Sequence, residues 1–356
     1  MPIWFADRGL TSAEIGQVLG FGFLLRMVAV PGWGWLADTV GRRPAMLCAG
    51  ATVAAGAAAL LPVVHGFTAI LLVSAMQGAA AAALTPLADA LTLALAAERR
   101  LDYGRTRAFG SVAFMVATAL GGVALGGIGS AVVPWTIASC YAVAALAAAA
   151  LPDAASPPAS ARLQQGPLHD RAFRLALVGS GLIQGAHAAY YAFAALHWRA
   201  AGIPDSVIGL LIAEGIIAEV ALFIWGRPLA ERLGPARLTA IAAAASVVRW
   251  TVTAFVTGVP VLAMVQVLHA GTFACQHLSA MAVLRAMPAQ RAGTAQALMA
   301  ALGFSAPTGL LIWLSGAIYG AAGGLTFLVM AAVGGSALLV TPALARSLRL
   351  SGRAAL

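Results

Sequence analysis

Lysine and asparagine occur nowhere in the 356 residues, and Asp, Glu, Lys and Arg together make up only 9% of the chain. Soluble domains carry roughly 25% charged residues, so a water-facing globule of this length is excluded. The missing Lys and Asn reflect a biased composition, with Ala filling much of the chain, rather than a functional demand. No G-x-x-x-x-G-K-[ST] phosphate loop is present, which argues against an ATP-driven pump. No segment is polar enough to house a soluble catalytic domain, so neither an enzyme nor a cofactor is expected. The three cysteines, Cys48, Cys140 and Cys275, stand far apart in apolar runs. They offer no metal spacing and no disulfide framework, and read as small core residues. Alternating ten-residue strands, the mark of an outer-membrane barrel, are absent as well.

What the chain has is apolar length: 61% of it is hydrophobic. About 20 apolar residues in a helix cross a hydrocarbon core of roughly 30 Å. Such spans fall at about 13–36, 44–63, 67–96, 107–128, 131–151, 171–197, 205–228, 237–257, 260–286, 292–318 and 323–345. Only helices are expected, because lipid offers the backbone no hydrogen-bond partners. The expected fold class is an all-α membrane protein with eleven full spans.

The net charge of +9 would suit nucleic acid, but its placement points to the lipid bilayer instead. Arg42 and Arg43; Arg99, Arg100, Arg105 and Arg107; Arg162, Arg171 and Arg174; Arg227, Arg232 and Arg237; Arg285 and Arg291; and Arg346, Arg349 and Arg353 all fall in one set of loops. The opposite loops carry only Arg8 and Arg199. By the positive-inside rule the first set faces the cytoplasm, which puts the protein in a cell (inner) membrane with its C-terminus cytoplasmic. Arg26 and Arg249 lie inside spans.

The segment 152–170 is rich in Pro, Ser and Gln and reads as a cytoplasmic linker. It separates an N-terminal half, 1–151, from a C-terminal half, 171–346, which is followed by a tail at 347–356. The halves repeat at a constant offset of 193: Gly9 with Gly202, Ile15 with Ile208, Gly16 with Gly209, Asp38 with Glu231, Gly41 with Gly234. Parallel repeats of this kind are typical of secondary transporters. The span at 171–197 has no full counterpart before Gly9, so an intact form of twelve spans, six plus six, is expected to have about twenty more residues of a first helix. Met1 is then either an internal methionine or the start of a real fragment. A signal peptide is a poor reading, since Met1–Asp7 has no basic leader.

Ionisable residues inside spans are costly and are functional candidates by default. They are Arg26, Asp89, Glu214, Glu219 and Arg249. Glu14, at a span end, reads as a solvated helix-start acid. Glu219 and Arg249 are equidistant from Gly234 in the turn between their spans. They therefore lie at equal depth, and a direct salt bridge is expected. Either it is static, or Glu219 exchanges a proton while Arg249 changes partner, which would switch the carboxylate's proton affinity. Arg26, at the repeat position of Glu219, has no acid at matching depth on the next span. It either offers its donor fork to a substrate carboxylate or pairs with Asp89. Asp89 could equally serve proton coupling or an inner gate with Arg107. His187, Tyr190 and Tyr191 share one helix face, with Gln184 a turn earlier. His269, Gln276 and His277 stand on another span. These polar groups read either as a substrate-cavity lining or as helix–helix hydrogen bonds. No metal site is expected among them.

Between the first two spans lies Gly34-Trp35-Leu36-Ala37-Asp38-Thr39-Val40-Gly41-Arg42-Arg43, a G-x-x-x-D-x-x-G-R-R pattern with a degenerate partner at 226–234. It resembles the loop signature of the major facilitator superfamily. Within that superfamily the whole chain resembles the phenylpropionate permease-type family. Arg8–Gly16, Asp102–Ser111, His197–Gly202, Glu219, Arg249-Trp250, Leu268–Phe273 and His277-Leu278 carry the resemblance. Phe109 stands where that family usually has Trp. The resemblance implies a major facilitator fold and a proton-coupled symporter working by alternating access. Its first, fourth, seventh and tenth spans would line the cavity, and its named substrate is an arylpropionate. It also implies that Asp38, helped by Arg42 and Arg43, engages a helix N-terminus of the other half as a cytoplasmic gate. Gly34, Gly41, Arg107 and Glu231 belong to the same gate. The expected activity is uptake of a small organic, aromatic acid with protons, by a monomer. Efflux of drugs or metabolites, a non-transporting receptor and a non-functional truncated form stand as alternatives.

Overall fold

The computed structural model describes residues 1–97, 103–152 and 166–350, without the side chains of residues 97, 103–105, 107–108, 227 and 289–290. Most of the linker and the last six residues fall outside it. No strand occurs among the described residues. The first part of the chain forms α1 (Pro2–Asp7), α2 (Ser12–Val40), α3 (Arg43–Leu60), α4 (Phe67–Ala81), α5 (Leu84–Ala97), α6 (Tyr103–Ile128) and α7 (Val132–Ala149). After the linker come α8 (Arg171–Gly185), α9 (Ala188–Ala200), α10 (Asp205–Trp225), α11 (Arg227–Phe255) and α12 (Val259–His269). Then follow α13 (Cys275–Arg285), α14 (Ala289–Ala300), α15 (Ala306–Ala322), α16 (Thr326–Ser336) and α17 (Thr341–Leu350). Wider π-helical turns at Ala270–Ala274 and Ala301–Ser305 join α12 to α13 and α14 to α15.

Among the described residues, nine helical stretches are long and apolar enough to cross a membrane. This bears out the all-α membrane fold while regrouping the spans. The stretch Arg291–Leu350 is 60 residues long and turns back on itself at Gly323–Leu325, so it holds two of the expected spans. The span expected at 171–197 is two helices, α8 and α9, broken at Ala186-His187.

Local signals explain the helix ends. Thr11 accepts from the Glu14 amide while Glu14 Oε2 accepts from the Thr11 amide at 2.8 Å, so Glu14 closes a reciprocal capping box. Asp170 caps α8 through the Phe173 amide. Gly41 ends α2 in the left-handed region at φ 70°, and Gly234, 193 residues later, breaks α11 at φ 71°. Both positions ask for a residue without Cβ.

Packing is uneven along the helices. α2 lies against α15, and α6 against α10. At the end away from the arginine-rich loops the backbones nearly touch. A Cβ added to Gly16 would fall 2.8 Å from Gly316 Cα, and one added to Gly122 would fall 2.8 Å from Gly209 Cα. Gly32, Gly34 and Gly41 have open space where a Cβ would point, and Asp38 and Arg42 are exposed.

Candidate functional site

The polar centre lies where α9, α11 and the α12–π-turn segment meet. Arg249 on α11 is fully buried. Its Nη1 donates to His269 Nδ1 at 2.8 Å and to Thr272 Oγ1 at 3.0 Å, and its Nη2 donates to Gln266 Oε1 at 3.1 Å. The guanidinium lies 4.6 Å from the Tyr190 ring centre and 4.5 Å from that of Trp250. A buried cation needs such partners, and a planar fork with two aromatic faces uses arginine geometry that lysine lacks. Gln266 passes the network on, donating to Tyr190 Oη at 2.8 Å and to the Leu211 carbonyl at 2.9 Å.

The donors fix the histidine tautomers. Arginine only donates, so His269 Nδ1 must accept, and the imidazole proton sits on Nε2. Nε2 then donates to Glu219 Oε2, 3.1 Å away. A second proton on Nδ1 would face the Arg249 N–H groups, so His269 stays neutral while this contact holds. His187 Nδ1 lies 2.9 Å from the Ile183 carbonyl and therefore carries its proton. Its Nε2 accepts from Thr272 Oγ1 at 3.0 Å. The result is a directed chain, Arg249 to His269 to Glu219. Glu219 keeps 18% of its side chain accessible and has a further interaction besides that with His269.

Aromatic rings surround that accessible end. Tyr191 stacks on His187 at 5.7 Å and lies parallel to Phe23 of α2, with centroids 6.5 Å apart. Phe23 meets Phe304 at 6.2 Å, and Phe304 meets Phe273 at 6.5 Å. Phe273 stacks between His269 at 5.4 Å and His277 at 6.3 Å. Arg26, one helical turn beyond Phe23, is exposed and places its guanidinium 5.9 Å from the Phe23 ring centre. It makes no hydrogen bond or ion pair among the described residues. The arrangement can hold a flat apolar group against rings with an anionic group near Arg26.

The profile of the MFS_1-like family matches residues 1–329. An Escherichia coli (strain K12) protein named Probable 3-phenylpropionic acid transporter is 32% identical over 352 residues, covering 96% of this chain and 91% of its own. The chain belongs to the MFS_1-like family of major facilitator transporters. Solved structures with the same fold include a mutant form of the nucleoside transporter NupG, with TM-score 0.84 and 16% identity over 96% of this chain and 93% of that one. A bacterial homologue of the human lysosomal transporter Spinster, inward-facing and unoccupied, gives 0.68 and 16% identity over 99% of this chain and 88% of that one. This transporter is therefore a multi-pass membrane protein from a family that moves small molecules.

In the transporter, several sequence expectations change. The direct Glu219–Arg249 bridge is replaced, because His269 fills the space between the two groups. Arg249, placed by sequence reasoning among the substrate-binding residues, is fully buried and held by its neighbours. His187 and Gln276 are also fully buried, and Gln184 nearly so. They lie behind the accessible surface rather than on it. Both amide atoms of Gln276, and Gln184 Oε1, lack a hydrogen-bond partner among the described residues. Tyr190 turns inward to Arg249, and His277 stands exposed. The alternative Arg26–Asp89 pair is not formed. Asp89 is half-buried on α5 and Glu214 half-buried on α10, while the side chain of Arg107 lies outside the described residues. Asp38 makes no ion pair among the described residues, Arg43 begins α3, and Glu231 is exposed on α11. Sequence reasoning missed Gln266, Thr272, Trp250, Phe23 and Phe304. Gln266, His269 and Thr272 recur every third residue in an apolar span, a polar stripe that could have been read.

Proposed function

We propose that this transporter takes up a small aromatic carboxylic acid together with protons by alternating access. The observation that carries the reading is the Arg249–His269–Glu219 chain, which reaches a part-accessible carboxylate beside an aromatic lining, with Arg26 making no hydrogen bond or ion pair among the described residues. Glu219 takes and releases the proton. His269 hands that change to Arg249, whose partners Gln266, Tyr190 and Thr272 shape the floor of the cavity. Arg26 receives the substrate carboxylate through its donor fork, and the rings of Phe23, Tyr191, Phe273 and Phe304 hold the apolar part. The name of the 32%-identical relative, a probable 3-phenylpropionic acid transporter, supports this substrate class.

In this reading the protein is a monomer in an inner membrane, with the arginine-rich loops and C-terminus cytoplasmic. Residues 1–151 and 171–346 rock as two halves about the linker. Gly34–Arg43, with Glu231 and Arg107, forms the cytoplasmic gate, and Asp89 is a second proton-coupling candidate. Uptake of 3-phenylpropionate into proteoliposomes should rise when the outside is made acid. Glu219→Gln keeps the size and a hydrogen-bonding oxygen but cannot titrate, and should abolish that rise. Uptake indifferent to pH in the unmodified protein would refute proton coupling.

A further inference from the structure

A second site lies at the arginine-rich end of the chain, away from the Arg249 chain and sharing no residue with it. α11 breaks at Gly234, with φ 71° and ψ 169°, and a new helical segment starts at Pro235. The break and the last helix, α17, enclose an open cavity of about 480 Å³. That lies within the range of pockets that hold small ligands. Arg232, Arg237 and Arg349 line it. All three are exposed, and none makes an ion pair or hydrogen bond among the described residues. Glu231 on the same wall already has a partner.

The walls are fixed before anything binds. Ser279 donates to the Pro235 carbonyl at 2.9 Å, and Thr239 meets Ser279 at 2.9 Å, which ties the break to α13. Leu344 and Leu348 of α17 are buried on the other side. The cavity therefore holds three like charges on a stiff frame, together with the positive end of the 235–255 segment. With the Glu231 carboxylate on the same wall, the lining still has an excess of positive charge, and an entering anion lowers the repulsion further. Forked donors facing one space match a tetrahedral phosphate better than a lone carboxylate.

We infer that this cavity binds a phosphate-bearing anion. Its place, where α11 and α17 leave their apolar spans, lets the phosphate come from an acidic phospholipid headgroup as well as from free phosphate. Purified full-length protein in a neutral detergent is titrated with short-chain phosphatidylglycerol, with short-chain phosphatidylcholine and with inorganic phosphate at constant ionic strength. Binding is read by native mass spectrometry and by thermal unfolding. Phosphatidylglycerol should bind and raise the unfolding temperature, and phosphatidylcholine should not. The double variant Arg237→Gln/Arg349→Gln should weaken binding about 25-fold, at about fivefold for each guanidinium removed. Arg171→Gln/Arg285→Gln, which removes equal charge elsewhere at that end, should leave it unchanged. Displacement of the lipid by inorganic phosphate assigns the site to the phosphate group itself, and retention of the lipid assigns it to the headgroup. The inference is overturned if neither probe binds the unmodified protein, or if the two double variants lose binding equally.

Discussion

Arg249→Lys keeps the charge and removes the fork, so it tests whether geometry or charge organises the site. An ammonium can sit where Nη1 now serves His269 and Thr272. It cannot also reach Gln266 Oε1, which Nη2 holds from the other side. That oxygen is buried, and an orphaned buried acceptor costs about 1–3 kcal/mol. The guanidinium plane over Tyr190 and Trp250 is lost too, for about 1 kcal/mol more. The expected destabilisation is about 2–4 kcal/mol, a lowering of the unfolding temperature by at least about 4 °C in detergent. Gln266 would turn toward other partners and release Tyr190, so proton-driven uptake should fall together with stability. Thermal unfolding and pH-jump uptake on the same preparation read both effects. A Lys variant within about 1 °C of the unmodified protein, with its pH response intact, would show that a point charge suffices and that the fork carries nothing.

Three further substitutions probe other parts. Arg26→Gln should leave stability within about 0.5 kcal/mol, because the side chain is exposed and makes no ion pair among the described residues, while raising KM for a carboxylate about 10- to 100-fold. An equal loss for the matching neutral amide would remove Arg26 from carboxylate recognition. Asp38→Asn should slow uptake several-fold, on the order of the loss of one charge–dipole contact, with substrate affinity in equilibrium binding roughly intact; a large affinity loss would sink the gate assignment. Gly209→Val places carbon atoms where Gly122 Cα already stands. Overpacking of about 1–3 kcal/mol should shift the population away from the arrangement seen here by about 5- to 150-fold. Spin-label distances across α6 and α10 that match the unmodified protein would show that this seam does not control the conformation.

The membrane fold was legible because two independent signals agreed. Apolar runs marked the helices, and the arginines marked alternate loops. The 193-residue offset carried backbone information as well. Gly9 and Gly202 adopt φ values of 81° and 85°, and Gly41 and Gly234 adopt 70° and 71°. A repeat of glycines in a sequence is thus a repeat of left-handed turns. The break inside 171–197 was not legible, since the Gly residues there are ordinary in membrane-spanning helices.

The site was legible in depth but not in azimuth. Equal distance from Gly234 correctly puts Glu219 and Arg249 at one level, yet says nothing of what stands between them. His269 takes that place from α12, and the π-turn that follows decides what lies below it. In a regular α-helix His269 and Gln276, seven apart, would share a face. A π-turn adds one residue to the turn and rotates everything after it. His277, eight residues on, then comes under His269, and the rings of His269, Phe273 and His277 stack in one column. Gln276 is turned into the protein, where neither amide atom finds a partner among the described residues. If the turn relaxed to α-helical register, Gln276 would rotate toward the cavity and the column would come apart at Phe273. The π-turn thus sets which polar group joins the ring column, and no propensity in Ala270-Gly271-Thr272-Phe273-Ala274 announces it.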